Sequence, residues 1–572
     1  MRLEKFESSK HLSDQVALIF LMNELNPMNA PSSSESDSVL KRLLKRCHAP
    51  KLLFAAVCLG TLVVLGLALE NRLRSNPNGA SSPKNSSPER IAAKQLVSAT
   101  VPDDQNFAAV PYFQQLFEKG SPTASDSRWP DDFSRADRWP RRIPTFAESP
   151  RGRLTGRFMT DLVAWKTCFE RSQDVSGSSS TQEEIPVREE VSPADNAAAA
   201  AVVLEALKPY EPVLEELQAA RSRPYARFPV HYDWEHPWGI LLPHLSVIKR
   251  TSQLLRLKAS AELAAGHGEQ AMQDVLLLLR LADAPKDEPF LISQLVRVAC
   301  LEITMQPLWE GLATHRWSEP QLQSLQRALE SFDFLADLKR VFEAERTLGS
   351  LTIALLREQR TPNLSRYLLS SEDSKGPEPW IVDADHAFES CPREWFDAEQ
   401  RNYDQLFHEL LIPGFDPVAR RTFPKISEEN AHRLTKTLGH QETLLEKHMV
   451  FAKLLLIPSS KVQLKLAGAQ GTADLANLAC ALERHRLRAG QYPQQLSELV
   501  PQSIQQMPHD VISGEPLHYE RTKDGLFLLY SIGWNENDDG GQPGFFASGR
   551  GPEKKEGDWV WRYPAGAAVH FE

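Results

Sequence analysis

Cysteine is scarce in this chain. There are six in 572 residues (Cys47, Cys58, Cys168, Cys300, Cys391 and Cys480), and no two stand at Cys-x-x-Cys spacing. That spacing argues against a cluster of thiolates around a metal. Four of the six follow the apolar segment described below, where one or two disulfides could form; buried free thiols are the simpler expectation. Glycine is also low, at 28 residues against 40 prolines, which predicts many short helices with hard stops. Positive charge is in deficit. Lys and Arg number 65 against 75 Asp and Glu, a net charge of −10, and no basic stripe forms outside the N-terminus, which argues against a nucleic-acid binder. Also missing are a Gly-x-Ser-x-Gly elbow, a Gly-rich phosphate cradle and a cysteine in a catalytic local signature. No catalytic or cofactor-binding residue is assigned, and the chain reads as non-enzymatic.

Uncharged apolar runs are missing too, with one exception. Leu52 to Leu69 is eighteen residues without a charge, about 27 Å as a helix and close to the thickness of a bilayer's hydrocarbon core. It is longer than a signal-peptide core, and no small-x-small cleavage site follows it. Lys41, Arg42, Lys45, Arg46 and Lys51 precede it, whereas Glu70, Arg72 and Arg74 follow. The excess of cations on the N-terminal side predicts a single-pass protein of the inner (cytoplasmic) membrane. Residues 1–50 form a cytoplasmic polar and basic tail, and the bulk of the chain is extracytoplasmic, in the periplasm. Residues 70–100 are mostly Ser, Asn, Pro and Lys. They cannot bury enough apolar surface to fold, and they form a disordered tether of roughly 30 Å r.m.s. span.

Residues 101–459 read as a mainly helical extracytoplasmic domain. Leu254, Leu257, Ala261, Ala264 and Ala265, then Gly266-His267-Gly268, then Ala271, Val275, Leu278 and Leu279 make two amphipathic helices around a short turn. The hairpin is similar to half of a tetratricopeptide repeat, but no second copy follows at that period. Further helices are expected over 290–312, over 319–334 behind a Ser318 cap, over 337–359, and over 428–456 up to Pro458. One cluster offers ligand-type side chains: His231, Asp233, Glu235 and His236, with His244 beyond Pro243. His, Asp and Glu suit zinc, but the spacing is not His-Glu-x-x-His and Pro237 interrupts any helix. A surface loop with aromatic anchors accounts for it. An extracytoplasmic enzyme with a metal site around His231–His244 is the alternative reading, and a TPR-like binding scaffold is another. Asp383-x-Asp385-His386 has a base beside carboxylates but no nucleophile at motif spacing.

Residues 460–572 carry the densest pattern. Leu475, Leu478, Ala479, Leu482 and Leu487 give one apolar stripe, with Asp474 in the first turn and Gly490 ending the helix. Tyr492-Pro493 turns the chain. Leu517–Arg521 and Leu526–Ile532 flank Lys523-Asp524-Gly525, a hairpin signal, and Trp559–Tyr563 reads as a third strand. A helix covering a three-stranded antiparallel sheet makes a small α+β unit.

The run Ala481-Leu482-Glu483-x-x-Arg486-x-x-x-Gly490-x-Tyr492-Pro493, then Leu496-x-x-Leu499-Val500-Pro501, resembles the globular head of type II secretion major pseudopilins. Pro508-His509-Asp510, Gly514-x-Pro516-Leu517-x-Tyr519 and Leu529-Tyr530-Ser531-Ile532-Gly533 continue the resemblance in order. The family's short basic leader, Gly cleavage site and nearby Glu do not precede the apolar segment, which lies far upstream of the head. The implied molecule is therefore a membrane-tethered protein carrying a pseudopilin-like head. Its expected partners are the membrane, through one span, and other envelope or secretion proteins, with no nucleic acid. The resemblance also implies calcium in the loop after Ser531-Ile532-Gly533, where Asn535, Asn537, Asp538, Asp539 and Asp558 are the candidate Ca²⁺ ligands.

Overall fold

The computed structural model of the protein describes residues 87–117, 159–173, 192–235, 237–359, 391–439, 443–456, 459–545 and 552–561. The Leu52–Leu69 segment, residues 70–86 of the expected tether and Asp383–His386 lie outside the described residues. The rest of that tether, expected to be disordered as far as residue 100, instead forms a helix over Pro88–Gln95 whose Arg90 and Ala93 are buried against the helical domain. Among the described residues no helix is long and apolar enough to cross a membrane.

The fold is mainly helical, as expected. Helices α1 (Pro88–Gln95), α2 (Pro111–Gln114), α3 (Leu162–Gln173), α4 (Pro193–Leu207) and α5 (Glu211–Ala220) lead into a central layer. That layer is α6 (Pro243–Ala265), α7 (Gly268–Asp283) and α8 (Leu291–Ala313), each packed on the other two. The α6–α7 hairpin forms where the sequence places it. Gly266 adopts φ +84°, its N–H donates to the Leu263 carbonyl, and the His267 N–H donates 2.8 Å to the Glu262 carbonyl. This is the paired closure that a left-handed C′ residue permits. A buried ion cluster ties the hairpin together: Lys258 Nζ of α6 donates to Glu262 at 2.6 Å and to Asp274 of α7 at 2.8 Å. Fully buried Arg297 of α8 likewise reaches Asp283 at 3.1 Å and Asp337 at 2.6 Å, with its guanidinium 5.0 Å from the centre of the Phe334 ring.

Helices α9 (Glu319–Leu329), α10 (Phe334–Gln359), α11 (Arg393–Leu406), α12 (Pro424–Thr437) and α13 (Val450–Leu455) follow. The longest helix, α14 (Ser459–Ala489, 31 residues), then runs through the molecule. It packs on α8, α9, α10 and α12, and also on the C-terminal strands. The short pair β1 (Phe415–Asp416) and β2 (Arg421–Thr422) stands apart from a three-stranded antiparallel sheet. That sheet has the order β3 (His518–Arg521), β4 (Phe527–Ser531), β7 (Trp559–Trp561), with Tyr519 opposite Leu529 and Leu529 opposite Trp561. A second hairpin, β5 (Pro543–Phe545) with β6 (Pro552–Gly557), was not expected from the sequence.

Three expectations need correction. Short helices do not dominate: α6 and α8 have 23 residues each, α10 has 26 and α14 has 31. Several prolines open helices instead of stopping them. Pro88, Pro193, Pro243, Pro320 and Pro424 all sit in first turns, where the missing N–H costs nothing. The helix expected over 428–456 is two helices, α12 and α13. Asp474 lies mid-helix and buried, because α14 begins fifteen residues before it at Ser459. Among the described residues Cys168, Cys300, Cys391 and Cys480 are thiols outside any disulfide, and the first, second and fourth are buried. One continuous set of buried apolar side chains runs from Ala93 to Trp561, so the helical layers and the C-terminal strands share a core.

Candidate functional site at the long helix and the C-terminal loop

The side chains of α14 explain how one helix serves both parts. Gln463, Gln470, Asn477 and Arg484 recur every seven residues, which keeps them in one stripe that drifts about 20° per repeat. Their partners lie in three places: the segment at Leu411, the start of α10, and α9, which both Asn477 and Arg484 meet. Gln463 Nε2 donates to the Leu411 carbonyl at 2.7 Å, and Gln470 Oε1 accepts the Phe334 N–H at the start of α10 at 2.8 Å. Asn477 Oδ1 accepts from Gln326 of α9 at 3.1 Å. Arg484 donates to Glu319 at 2.8 Å, to Gln326 Oε1 at 2.7 Å and to the Ser503 carbonyl at 2.7 Å. The first three residues of this ladder are buried, so each polar group must find its partner or carry a desolvation cost of about 1–3 kcal/mol. On the sheet side, α14 offers glycine. A Cβ at Gly471 would lie 2.9 Å from the Trp559 ring, so β7 seats there because no side chain intervenes.

Asp474 stands beside the ladder. It accepts from Gln470 Nε2 at 3.1 Å, and Arg420 is 3.7 Å away. Burial pushes its carboxyl up to about 7 against the pull of Arg420 and Gln470. A carboxyl raised on folding gives stability that is present below its unfolded value near 4 and lost as pH rises through 7. Asp474→Asn is therefore expected to flatten the fall in melting temperature between about pH 4 and pH 7. A variant whose profile parallels the parent's would remove this assignment.

At the C-terminal end of α14, Glu483 gathers four donors. Arg486 reaches it twice, at 2.8 and 2.6 Å; His315 Nδ1, just beyond α8, is at 2.9 Å, and the Tyr492 hydroxyl is at 2.9 Å. Burial alone would raise this carboxyl, but Arg486 and His315 outweigh it and hold it at about 2. Gly490 at φ +77° closes the helix. Tyr492 meets the Phe527 ring edge-on at 4.9 Å, and the Tyr519 hydroxyl donates to the Pro493 carbonyl at 2.7 Å, so the elbow is pinned to β3 and β4. Asp510, itself buried, accepts from the Ile512 N–H, the Ser531 hydroxyl and the Ile532 N–H at 2.9, 2.9 and 3.0 Å. It ties the turn before β3 to the end of β4.

The acidic loop leaves β4 at Gly533, where φ is +69° and a Cβ would strike the Gly557 carbonyl oxygen at 2.2 Å. Only glycine permits that crossing. Trp534 is buried beneath the loop, with its Nε1–H donating to Glu428 at 3.2 Å. Asn535 Nδ2 donates to Asp539 at 2.8 Å, and the Asn537 N–H donates to Asn535 Oδ1 at 3.2 Å. Asp538 turns toward the sheet, where Tyr530 Oη donates to it at 3.0 Å and His518 is 3.6 Å away. Burial and Asp538 together push the Tyr530 phenol up to about 12. Asp558 lies under the loop and accepts the Asp539 and Gly541 N–H groups at 3.3 and 2.6 Å. Burial raises its carboxyl.

The donor types suit Ca²⁺, but their directions diverge. Asp538 faces His518 and Tyr530, Asp558 faces backbone N–H groups, and Asp539 faces Asn535. As arranged, these residues do not form a closed calcium shell. Among the described residues no three His, Cys, Asp or Glu side chains are placed to hold a metal ion.

The His231–His244 cluster is likewise dispersed. His231 is exposed, and Tyr232 stacks on Trp234 and Phe290 as an anchor. Glu235 gives both oxygens to Arg90 of α1 at 2.9 Å, while Asp233 accepts the Glu235 N–H at 3.0 Å. His244 is fully buried, bonded to Glu288 at 2.6 Å and stacked 4.1 Å from Phe228. His236 lies outside the described residues. Sequence reasoning missed the Arg90–Glu235 pair, whose partners are 145 positions apart. No family model matches the chain, and neither a curated protein nor a solved structure matches it.

Proposed function

We propose that the protein is a non-enzymatic, single-pass protein of the inner membrane that holds a pseudopilin-like head in the extracytoplasmic space. Its role is protein contact in or near a type II secretion-like system. The observation that carries this reading is the burial of α14. From Ser459 to Glu483 most of the helix is enclosed by other parts of the same chain. A helix enclosed in this way is not free to pack along copies of itself, so the head serves as a fixed presentation module and not as a filament subunit. The positions that carry the sequence resemblance also hold the head's frame: Glu483, Tyr492, Asp510, Tyr519 and Gly533 each make a defined contact described above.

Photo-crosslinking groups at Leu487 and Val500, both exposed apolar positions on the head, test the reading in cells. Crosslinks to a secretion-system component support it. A ladder of self-crosslinks would reassign the chain to a filament. Calcium belongs to the same reading and is separable from it. A rise in melting temperature of the full chain in millimolar Ca²⁺, abolished by Asp539→Ala, places the ion in the loop. An unchanged midpoint removes calcium and leaves the head.

A further inference from the structure

Three lysines share one carboxylate where α6, α8, α14 and β6 come together, and a fourth, Lys461, lies beside one of them. Lys554 of β6 bonds Glu302 of α8 at 2.5 Å. Lys249 of α6 and Lys465 of α14 lie within electrostatic reach of the same Glu302, and Lys461, Lys554 and Lys249 act on Lys465. The stem of Lys554 crosses α14 at Gly468, where a Cβ would stand 3.3 Å from its Cδ. Trp559 Nε1 donates to the Lys554 carbonyl at 3.0 Å and fixes the strand over that glycine.

Burial is graded across the group. Lys461 is exposed, Lys554 and Glu302 are partly exposed, and Lys249 is only 9% exposed. Among the described residues Lys249 makes no hydrogen bond, although it is the most enclosed of the four. Burial pushes its ammonium down, and burial with the neighbouring lysines does the same to Lys465. A largely enclosed ammonium without a protein acceptor leaves part of its desolvation cost uncompensated. The nearby carboxylate is already engaged by Lys554.

We propose that this lysine group binds an oxyanion of the phosphate class, with Lys249 as its most enclosed member and Lys461, Lys465 and Lys554 nearer solvent. Lys249, Lys465 and Lys554 share the carboxylate of Glu302, so positive charge is in excess within this group. A dianion with several oxygens offsets that excess better than a monocarboxylate and offers acceptors in several directions to ammonium groups arriving from three elements. A bound anion would clamp the β5–β6 hairpin to the helical layers. A phosphate monoester and a phospholipid headgroup share this chemistry.

The test compares melting of the full chain, in nonionic detergent, in sodium phosphate and in sodium chloride at matched ionic strength. The expected result is a rise of about 3 °C in 10 mM phosphate, with equilibrium dialysis giving one phosphate per chain. Lys249→Met and Lys554→Gln should each weaken phosphate binding at least tenfold. If Lys249→Met does not fold, Lys554→Gln at the partly exposed edge carries the comparison. A higher midpoint in phosphatidylglycerol than in phosphatidylcholine nanodiscs, lost in Lys554→Gln, assigns the site to a headgroup. A phosphate effect in detergent without that lipid difference assigns it to a free phosphate. Equal midpoints in phosphate and chloride and in both lipids, or a shift that both variants retain, overturn the proposal. None of these outcomes depends on the secretion reading.

Discussion

Glu483→Ala is expected to lower the melting temperature of the chain by several degrees to about 10 °C, the loss of about 3–5 kcal/mol that follows when a buried ionic partner is removed. The four donors arranged around this carboxylate come from α14, from the turn after α8 and from the elbow before the sheet. Alanine removes this acceptor from the buried Tyr492 hydroxyl and from the partly buried Arg486. Glu483→Gln keeps the shape and an acceptor for Tyr492 but not the charge opposite Arg486, so its loss should be roughly half as large. The pH profile separates charge from packing. The carboxyl is held at about 2 on folding, against an ordinary value near 4.3. Its contribution is therefore full above pH 4.3 and disappears as pH falls toward 2. The glutamine variant should lack that acid-side loss. A Glu483→Ala midpoint within 1 °C of the parent would show that the four bonds contribute nothing net.

The second large effect concerns the piece that looks most like a separate module. Residues 459–572 expressed alone are expected to show no cooperative thermal transition, whereas a chain containing residues 87–561 melts cooperatively. Leu466, Leu475, Leu478 and Leu482 of α14 are almost completely buried, at about 1.5–3 kcal/mol each. The sheet supplies only part of their cover, because α8, α9, α10 and α12 pack on the same helix. The fragment also loses the Leu411, Phe334, Gln326 and Glu319 partners of the polar ladder. A sharp transition in the fragment near the midpoint of the longer chain would mean that the sheet alone sustains α14.

Local signals were legible wherever the backbone itself demanded a residue type. Gly266 and Gly490 ended their helices, Ser318 capped α9, and Asp524-Gly525 turned β3 into β4. The partners of buried polar groups were not legible. In a sequence, Gln463, Gln470 and Asn477 look like the wet face of an amphipathic helix, because an amide bonded to another helix and an amide bonded to water are the same residue. The same ambiguity made Leu487 read as part of an apolar stripe, although it is exposed, and placed Asp474 at a helix start. The His231–His244 cluster showed the reverse limit. Ligand-type residues close in sequence take partners far away, as Glu235 does with Arg90 and His244 does with Glu288.

The position of α14 near the end of the chain sets an order of events during synthesis. A ribosome makes the helical layers first and the helix that fills them last, at about 5–20 residues per second. Until Ala489 has emerged, the surfaces of α8, α9 and α10 that α14 covers have no occupant. A nascent chain truncated before Ser459 would stay open and exposed to proteases, and each added turn of α14 would close one more rung.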